Sequence, residues 1–316
     1  ATDLSGHTYN RTRPAGPVDT RLTTLRLDRA DGSPLALLVN FQGHPVVHMK
    51  RRMYAVSRDV PGDVCDRIER ELPGCRALYL QGAAGDLMFN DEYSQPVHAH
   101  RPGDLVAGTA LDAQRNALSM PDASLDVATP VAKLPTRRWT HDEIFKLREE
   151  AEHRLAHDET HDWMHGIGRG MTCNPPDMVD RHGGDEVKAV RAMARFMIEW
   201  SDQVLIDWQT RPEHIHAPVQ TLRIGDLCIA TNPTELYSAP AIALRQRIGG
   251  DRPLMIVGYS NYHLGYMPDA HDVAARSYGA YQSPKYCNRF PFTDRSADAL
   301  VDAMAAGVHA LCPQRV

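Results

Sequence analysis

Long hydrophobic runs are missing from these 316 residues; no stretch approaches the ~20 apolar residues of a membrane-spanning helix. A charge of one sign is missing too. The formal net charge is -5 with acids and bases interspersed, so the electrostatic footprint of a nucleic-acid-binding chain is absent. Cysteine is sparse: there are six, none in C-x-x-C spacing, which excludes a zinc ribbon and a disulfide scaffold. Cys65 and Cys75 are close enough in sequence to pair but read as reduced, packed thiols. No internal repeat is present. What remains is an ordinary globular composition, 42% hydrophobic and 24% charged, long enough for one large domain or two small ones. The outlier is histidine, with sixteen copies, which directs attention to metal chemistry.

Strand and helix patterns alternate along the chain. Residues 1–20 are polar and rich in Pro and Gly, and read as an extended lead-in. Arg21–Leu27 and Leu35–Phe41 read as strands joined through Asp31-Gly32, a hairpin turn pair. Pro61 suits the first turn of a helix that carries Val64, Ile68 and Leu72 on one face. Ala77–Leu80 is a short buried strand, Gly82–Gly85 a tight turn, and Leu105–Leu118 a helix. In the middle, residues 141–165 are charged and helical, Cys173–Gly184 reads as a loop, and a second long helix aligns Val190, Met193, Met197, Trp200, Val204 and Trp208. Val219–Ile224 and Leu227–Thr231 form a hairpin across Gly225-Asp226. Ala239–Ile248 is helical, Leu254–Val257 a buried strand, and a last helix from Asp294 to Leu311 faces Leu300, Met304, Val308 and Leu311 inward. The expectation is an α/β fold: mixed sheets flanked by helices, with a site at the C-terminal ends of strands and an inserted helical hairpin, residues 138–212, within a single 1–316 domain.

Five segments carry chemistry in their residue types. Asn40-Phe41-Gln42-Gly43-His44-Pro45 delivers a histidine from the end of a strand to a proline-stopped turn. It is followed by Ser57-Arg58-Asp59-Val60-Pro61-Gly62, by Gln81-Gly82-Ala83-Ala84-Gly85-Asp86, by Asn232-Pro233-Thr234-Glu235, and by Ser260-Asn261 running to Gly265-Tyr266. In this order the five resemble the neutral (non-lysosomal) ceramidase family and its shorter bacterial relatives, over residues 8–290 outside the central helices. The resemblance implies a zinc amidase acting on a linear, lipid-like amide; with Met88 where the family carries a serine, the expected nucleophile is metal-bound water. It implies His44, Glu235 and Tyr266 as zinc ligands, and Tyr278 and Arg11 as donors to the tetrahedral intermediate. The set is chemically coherent: imidazole and carboxylate suit Zn2+, three protein ligands leave a position open, and a phenol and a guanidinium are fitting oxyanion donors. Each residue also has an ordinary reading. His44 suits a strand end, Glu235 a helix N-terminus, Tyr266 a core, and Arg11 a surface cation; Tyr281 competes with Tyr278.

Three departures shape the expectation. Met88 stands two residues beyond Asp86, where ceramidases carry a serine proposed as the nucleophile, and a thioether cannot attack a carbonyl. Thr234 replaces the glycine of Asn-Pro-Gly-Glu, with some loss of backbone freedom. The family's His-x-His segment, which supplies another zinc histidine, has no counterpart here; the expectation is a processed or truncated piece, or a second polypeptide that supplies the segment as a separate subunit or as another fragment of one precursor. His98-Ala99-His100 and His214-Ile215-His216 are the substitutes within the chain, each placing two imidazoles on one face of a strand. A non-catalytic subunit and a metal-dependent esterase or lactonase are the alternative functions. His153, His157, His161 and His165 fall at four-residue steps on one helical stripe; neighbouring pairs are spaced to chelate a metal, but the favoured reading is a solvated or interface-facing edge that repels itself when protonated.

Overall fold

The hairpin predicted across Asp31-Gly32 forms in the computed structural model, which describes residue 4 and residues 6–48, 56–168, 175–249 and 252–312. Strands β2 (Thr23–Asp28) and β3 (Pro34–Phe41) pair antiparallel, with an irregularity between Leu27 and Asp28. From β3 the chain enters helix α1 (Asp59–Glu71) and returns as β4 (Arg76–Gln81), which pairs parallel to β3 from Ala36↔Arg76 to Phe41↔Gln81. This βαβ crossover sets the C-terminal ends of β3 and β4 side by side. The four-residue spacing of Val60, Val64 and Ile68 puts all three on the buried face of α1. They meet Leu37, Val39 and Phe41 of β3, and Val106, Ala107, Ala110 and Leu111 of α2 (Arg101–Arg115). Each of the larger of these apolar side chains contributes roughly 1.5–3 kcal/mol by leaving water.

A second sheet repeats the device. In the order 254–257, 227–231, 221–224, 125–128, the strand Leu227–Thr231 pairs antiparallel with Thr221–Ile224 and parallel with Leu254–Val257. Thr231 and Val257 are register partners, so a second pair of parallel strands ends together. Asn40 ties the two sheets. Its buried amide donates to Leu80 O and Ile256 O at 2.9 Å each, and its oxygen accepts from Ile256 N at 3.1 Å, standing in for a strand partner. Gly258 N also donates to Gln81 O at 3.0 Å.

The chain divides into two compact units. The first comprises residues 1–132, 217–263 and 298–316, the second residues 133–216 and 264–297. The expected insert, 138–212, lies inside the second unit, whose core is Trp139, Ile144, Met193, Met197, Trp200, Val204 and Phe290. Its helices are α3 (His141–His157), Pro175–Arg181 and Glu186–Ile206. Thr140 and Glu143 close a reciprocal capping box at the start of α3.

Several sequence expectations change. The lead-in contains a strand, β1 (Thr8–Asn10), paired antiparallel with β5 (Leu87–Phe89); three-residue strands carry too little periodicity to be recognised. Helix α3 stops at Asp158, which turns left-handed at φ 50°. His161 and His165 therefore leave the stripe, and only His153 and His157 remain as neighbours, ring centroids 4.5 Å apart. The expected loop Cys173–Gly184 holds the helix Pro175–Arg181, whose prolines suit a first turn; Cys173 and Asn174 lie outside the described residues. Helix α2 begins at Arg101, four residues before the pattern suggests, and Trp208 lies beyond the end of its helix. His98 ends a short 3-10 turn and His100 caps α2, so His98-Ala99-His100 is not a strand, whereas His214–Pro218 is. Cys65 and Cys75 are free thiols.

Within the second unit, Lys285 sits in an aromatic cage. Its ammonium lies 4.0 Å from the ring centre of Tyr281, 4.9 Å from Trp139 and 5.6 Å from Trp200, and it donates to Tyr281 O at 2.9 Å. Burial lowers its pKa to about 7, outweighing the opposite pull of Glu143. The unfolded chain, with an ordinary lysine near 10.4, binds more protons between these values, so stability rises with pH from about 7 to about 10. Below pH 7 the cost of burying the cation is at its full value. Lys285→Met is expected to stabilise the protein by about 1–3 kcal/mol at pH 6 and by less at pH 10, measured by urea unfolding. A loss of stability at pH 6 would show that the cage outweighs the desolvation cost.

Candidate active site

Four of the five motifs stand at the C-terminal ends of the two parallel strand pairs. His44 follows β3, the Gly82–Asp86 turn follows β4, Asn232–Glu235 follows the strand Leu227–Thr231, and Gly258–Asn261 follows Leu254–Val257. The Gly82–Asp86 turn and the start of β5 organise the first three candidate residues. Arg11 N donates to Asp86 O at 2.7 Å, His44 N to Leu87 O at 3.0 Å, and Gly85 N to Leu236 O at 2.9 Å, beside Glu235. Gly85 is required there: a Cβ would lie 2.6 Å from Glu235 O and 2.5 Å from the Tyr237 ring.

The imidazole of His44 is oriented by the same turn, its Nδ1 lying 3.0 Å from Ala84 O. A carbonyl only accepts, so Nδ1 carries the proton and Nε2 carries the lone pair, the arrangement of a metal-binding histidine. Glu235 has two neighbours that the sequence reading did not single out. Tyr259 hydrogen-bonds its carboxylate, and His263 Nε2 lies 3.6 Å from Glu235 Oε1. The rings of Tyr259 and His263 stack with centroids 5.7 Å apart. Tyr259 adopts a left-handed φ of 54°, a conformation unusual for an aromatic residue. Burial first, then the Glu235 charge, raises its phenol pKa, so it remains a donor. The available clue was positional: both residues fall within or beside the Ser260–Tyr266 run.

Asp86 anchors the turn from below. Its Oδ1 accepts from Ser238 N at 2.7 Å and Ser238 Oγ at 2.8 Å, and its Oδ2 from Asn10 Nδ2 at 2.7 Å. Burial raises the carboxyl to about 6 despite these donors. Gln81 donates to Gly43 O at 3.2 Å, while its Oε1 is buried with no donor among the described residues. Thr234 costs no backbone strain: it is not among the described residues with positive φ, and its N and Oγ1 donate to Asn232 Oδ1 at 3.0 and 2.7 Å. Met88 is buried on β5 and offers no nucleophile.

Tyr266 and Tyr278 belong to the second unit, where their rings meet edge to face at 5.5 Å. Tyr281 packs on Trp139 instead. Among the described histidines, cysteines and acids, one group of three has converging donor atoms, and it is His48, Asp63 and His100 rather than a group containing His44 and Glu235.

No helix is long and apolar enough to cross a membrane among the described residues. No protein-family model matches the chain. No curated protein sequence matches it either. Solved structures do. A neutral ceramidase from Pseudomonas aeruginosa superposes with a TM-score of 0.63 at 16% identity, covering 98% of this chain and 51% of that one. A ceramidase complexed with C2 gives the same TM-score and identity, covering 98% of this chain and 52% of that one. The chain thus has the fold of a neutral ceramidase and spans about half the length of the ceramidase structures it matches.

Proposed function

We propose that this chain is a zinc-dependent hydrolase of amide bonds, or the larger part of one, acting on a lipid-like N-acyl amine. The observation that carries the reading is the shared turn. Arg11, His44 and Leu236, the neighbour of Glu235, are distant in sequence, yet each is tied by a backbone hydrogen bond to residues 85–87. The ceramidase fold and the family order of the motifs support it.

The donor set of the first unit fits a zinc ion. His44 presents Nε2 because Ala84 O takes the Nδ1 proton, and Glu235 brings a carboxylate held by the Tyr259 hydroxyl. Tyr266 joins as third ligand on the sequence resemblance alone, as does Tyr278 as a donor. Zinc in such a set supplies a Lewis acid that polarises a carbonyl and acidifies water. The chain's own residues do the rest. Arg11 offers a fixed positive charge to the developing oxyanion, and Tyr278 offers a phenolic O–H. Tyr259 holds Glu235 in one orientation. With Met88 in place of a hydroxyl, water is the nucleophile, and no acyl-enzyme forms at that position.

The test is to purify the chain and measure zinc content together with hydrolysis of an N-acyl amine and its ester analogue. Amide hydrolysis that depends on zinc is the expected result. Activity appearing only after addition of a polypeptide bearing a His-x-His segment would place a further ligand in trans. A zinc-loaded chain inert toward both substrates under either condition would instead identify a non-catalytic subunit.

A further inference from the structure

We propose that His48, Asp63 and His100 form a second metal site, for a divalent ion of the zinc class, independent of the reading of His44 and Glu235. Their three donor atoms lie within 4.8 Å of one another. His100 Nδ1 is 2.9 Å and His48 Nε2 3.2 Å from the same carboxylate oxygen, Asp63 Oδ2. Ligands held at about 2.0–2.2 Å around a tetrahedral ion stand roughly 3.3 Å from each other, so these spacings need little adjustment. The two imidazoles meet edge to face at 4.9 Å and both aim at the carboxylate. Two neutral imidazoles and one carboxylate are a common zinc donor set and leave positions for water.

The surroundings hold the three ligands in place. His48 is fixed through its backbone: Asp59, at the start of α1, accepts from Val47 N at 3.1 Å and from His48 N at 2.7 Å. Ser57 Oγ lies 3.4 Å from His48 Nδ1, the ring nitrogen away from the site, and can donate to it or accept from it. Nε2 also lies 3.2 Å from Ala99 O, so an ion bound there takes the place of the Nε2 proton, which moves to Nδ1 or to solvent. Asp63 projects from the second turn of α1, and His100 caps α2. The two helices approach so closely here that a Cβ on Gly103 would lie 2.3 Å from Asp63 Cβ. Only glycine permits this approach, and the approach is what delivers His100 to Asp63. The Ser-x-Asp-x-x-Gly motif thereby gains a role, since Ser57 and Asp59 position His48 from the side opposite the ion. His100 is 71% exposed, so an ion has a path from solvent. Bound there, it would fasten the segment that follows His44 to both α1 and α2.

The test is zinc titration of the whole chain by calorimetry, in a His153→Ala/His157→Ala background that removes the adjacent exposed imidazoles of α3. His100→Ala, a change at an exposed side chain, is expected to remove one equivalent of zinc or weaken it by about a hundredfold. Asp63→Asn is expected to do the same, His98→Ala to change nothing, and the rise in thermal midpoint on adding zinc to shrink in the first two variants alone. His100→Ala that folds normally by circular dichroism and binds the parent's number of equivalents with the parent's affinity would overturn the site. So would a parent chain that binds no zinc, which would leave the cluster as a carboxylate bridging two imidazoles.

Discussion

His44→Ala is expected to lose one equivalent of zinc and about a thousandfold in amide hydrolysis while keeping its fold. The magnitude follows from the chemistry assigned to the site. Metal polarisation of a carbonyl is worth several kcal/mol in the transition state, and about 4 kcal/mol corresponds to a factor of a thousand. The structural cost is smaller. The side chain is only half-buried, and its ring hydrogen bond to Ala84 O contributes about 1 kcal/mol. Zinc content by elemental analysis, amidase rate and thermal midpoint are the three readouts. The equivalent expected to persist in this variant is the one held by His48, Asp63 and His100, so the count should fall by one. Full retention of zinc and activity would remove His44 from the ligand set.

Arg245→Met is expected to destabilise the protein by about 3–5 kcal/mol, although it touches no candidate site residue. Arg245 and Asp19 form an ion pair at 2.9 Å, with only 6% and 3% of their side chains exposed. Asp19 Oδ2 also accepts from Gln42 Nε2 at 2.8 Å, and Arg245 Nη1 donates to Leu254 O at 3.2 Å. The pair thus braces Gln42, two residues before His44, against the strand that precedes Gly258. Removing the arginine leaves a carboxylate in the interior with no countercharge, which is the expensive half of the change. The double variant Asp19→Asn/Arg245→Met removes that charge and is expected to recover at least half of the loss. Urea denaturation, with a lower midpoint at unchanged slope, reads the effect. A loss below about 1 kcal/mol for Arg245→Met would show that water reaches Asp19.

Much of the first unit was legible because its elements are specified locally. Two hydrophobic runs across an Asp-Gly turn specify the β2–β3 hairpin, and Val64 and Ile68 recur at helical spacing behind a compatible proline, whereas Leu72, expected on the same face, falls at the cap just past the helix end. The placing of His44, Glu235 and the Gly82–Asp86 turn at strand ends followed from the same local patterns. Helix α3 ran past its true end in the sequence reading because one residue, Asp158, decides it. A left-handed cap formed by a non-glycine residue leaves little trace in a pattern of charges.

What the sequence determined by itself was the α/β class, the order of the longer strands and helices, and which residue types stand at the strand ends; short-range periodicity and turn chemistry suffice for these. What only the tertiary structure decided was which distant residues meet. Asp19 and Arg245 lie 226 positions apart, and His48, Asp63 and His100 come from a loop, a helix interior and a helix cap. Tyr259 and His263 gain meaning only beside Glu235. Such encounters depend on how the parallel strand pairs and the helices beside them pack, down to the single glycine that lets α2 reach Asp63, and no local pattern of residues encodes a close approach between segments far apart in the chain.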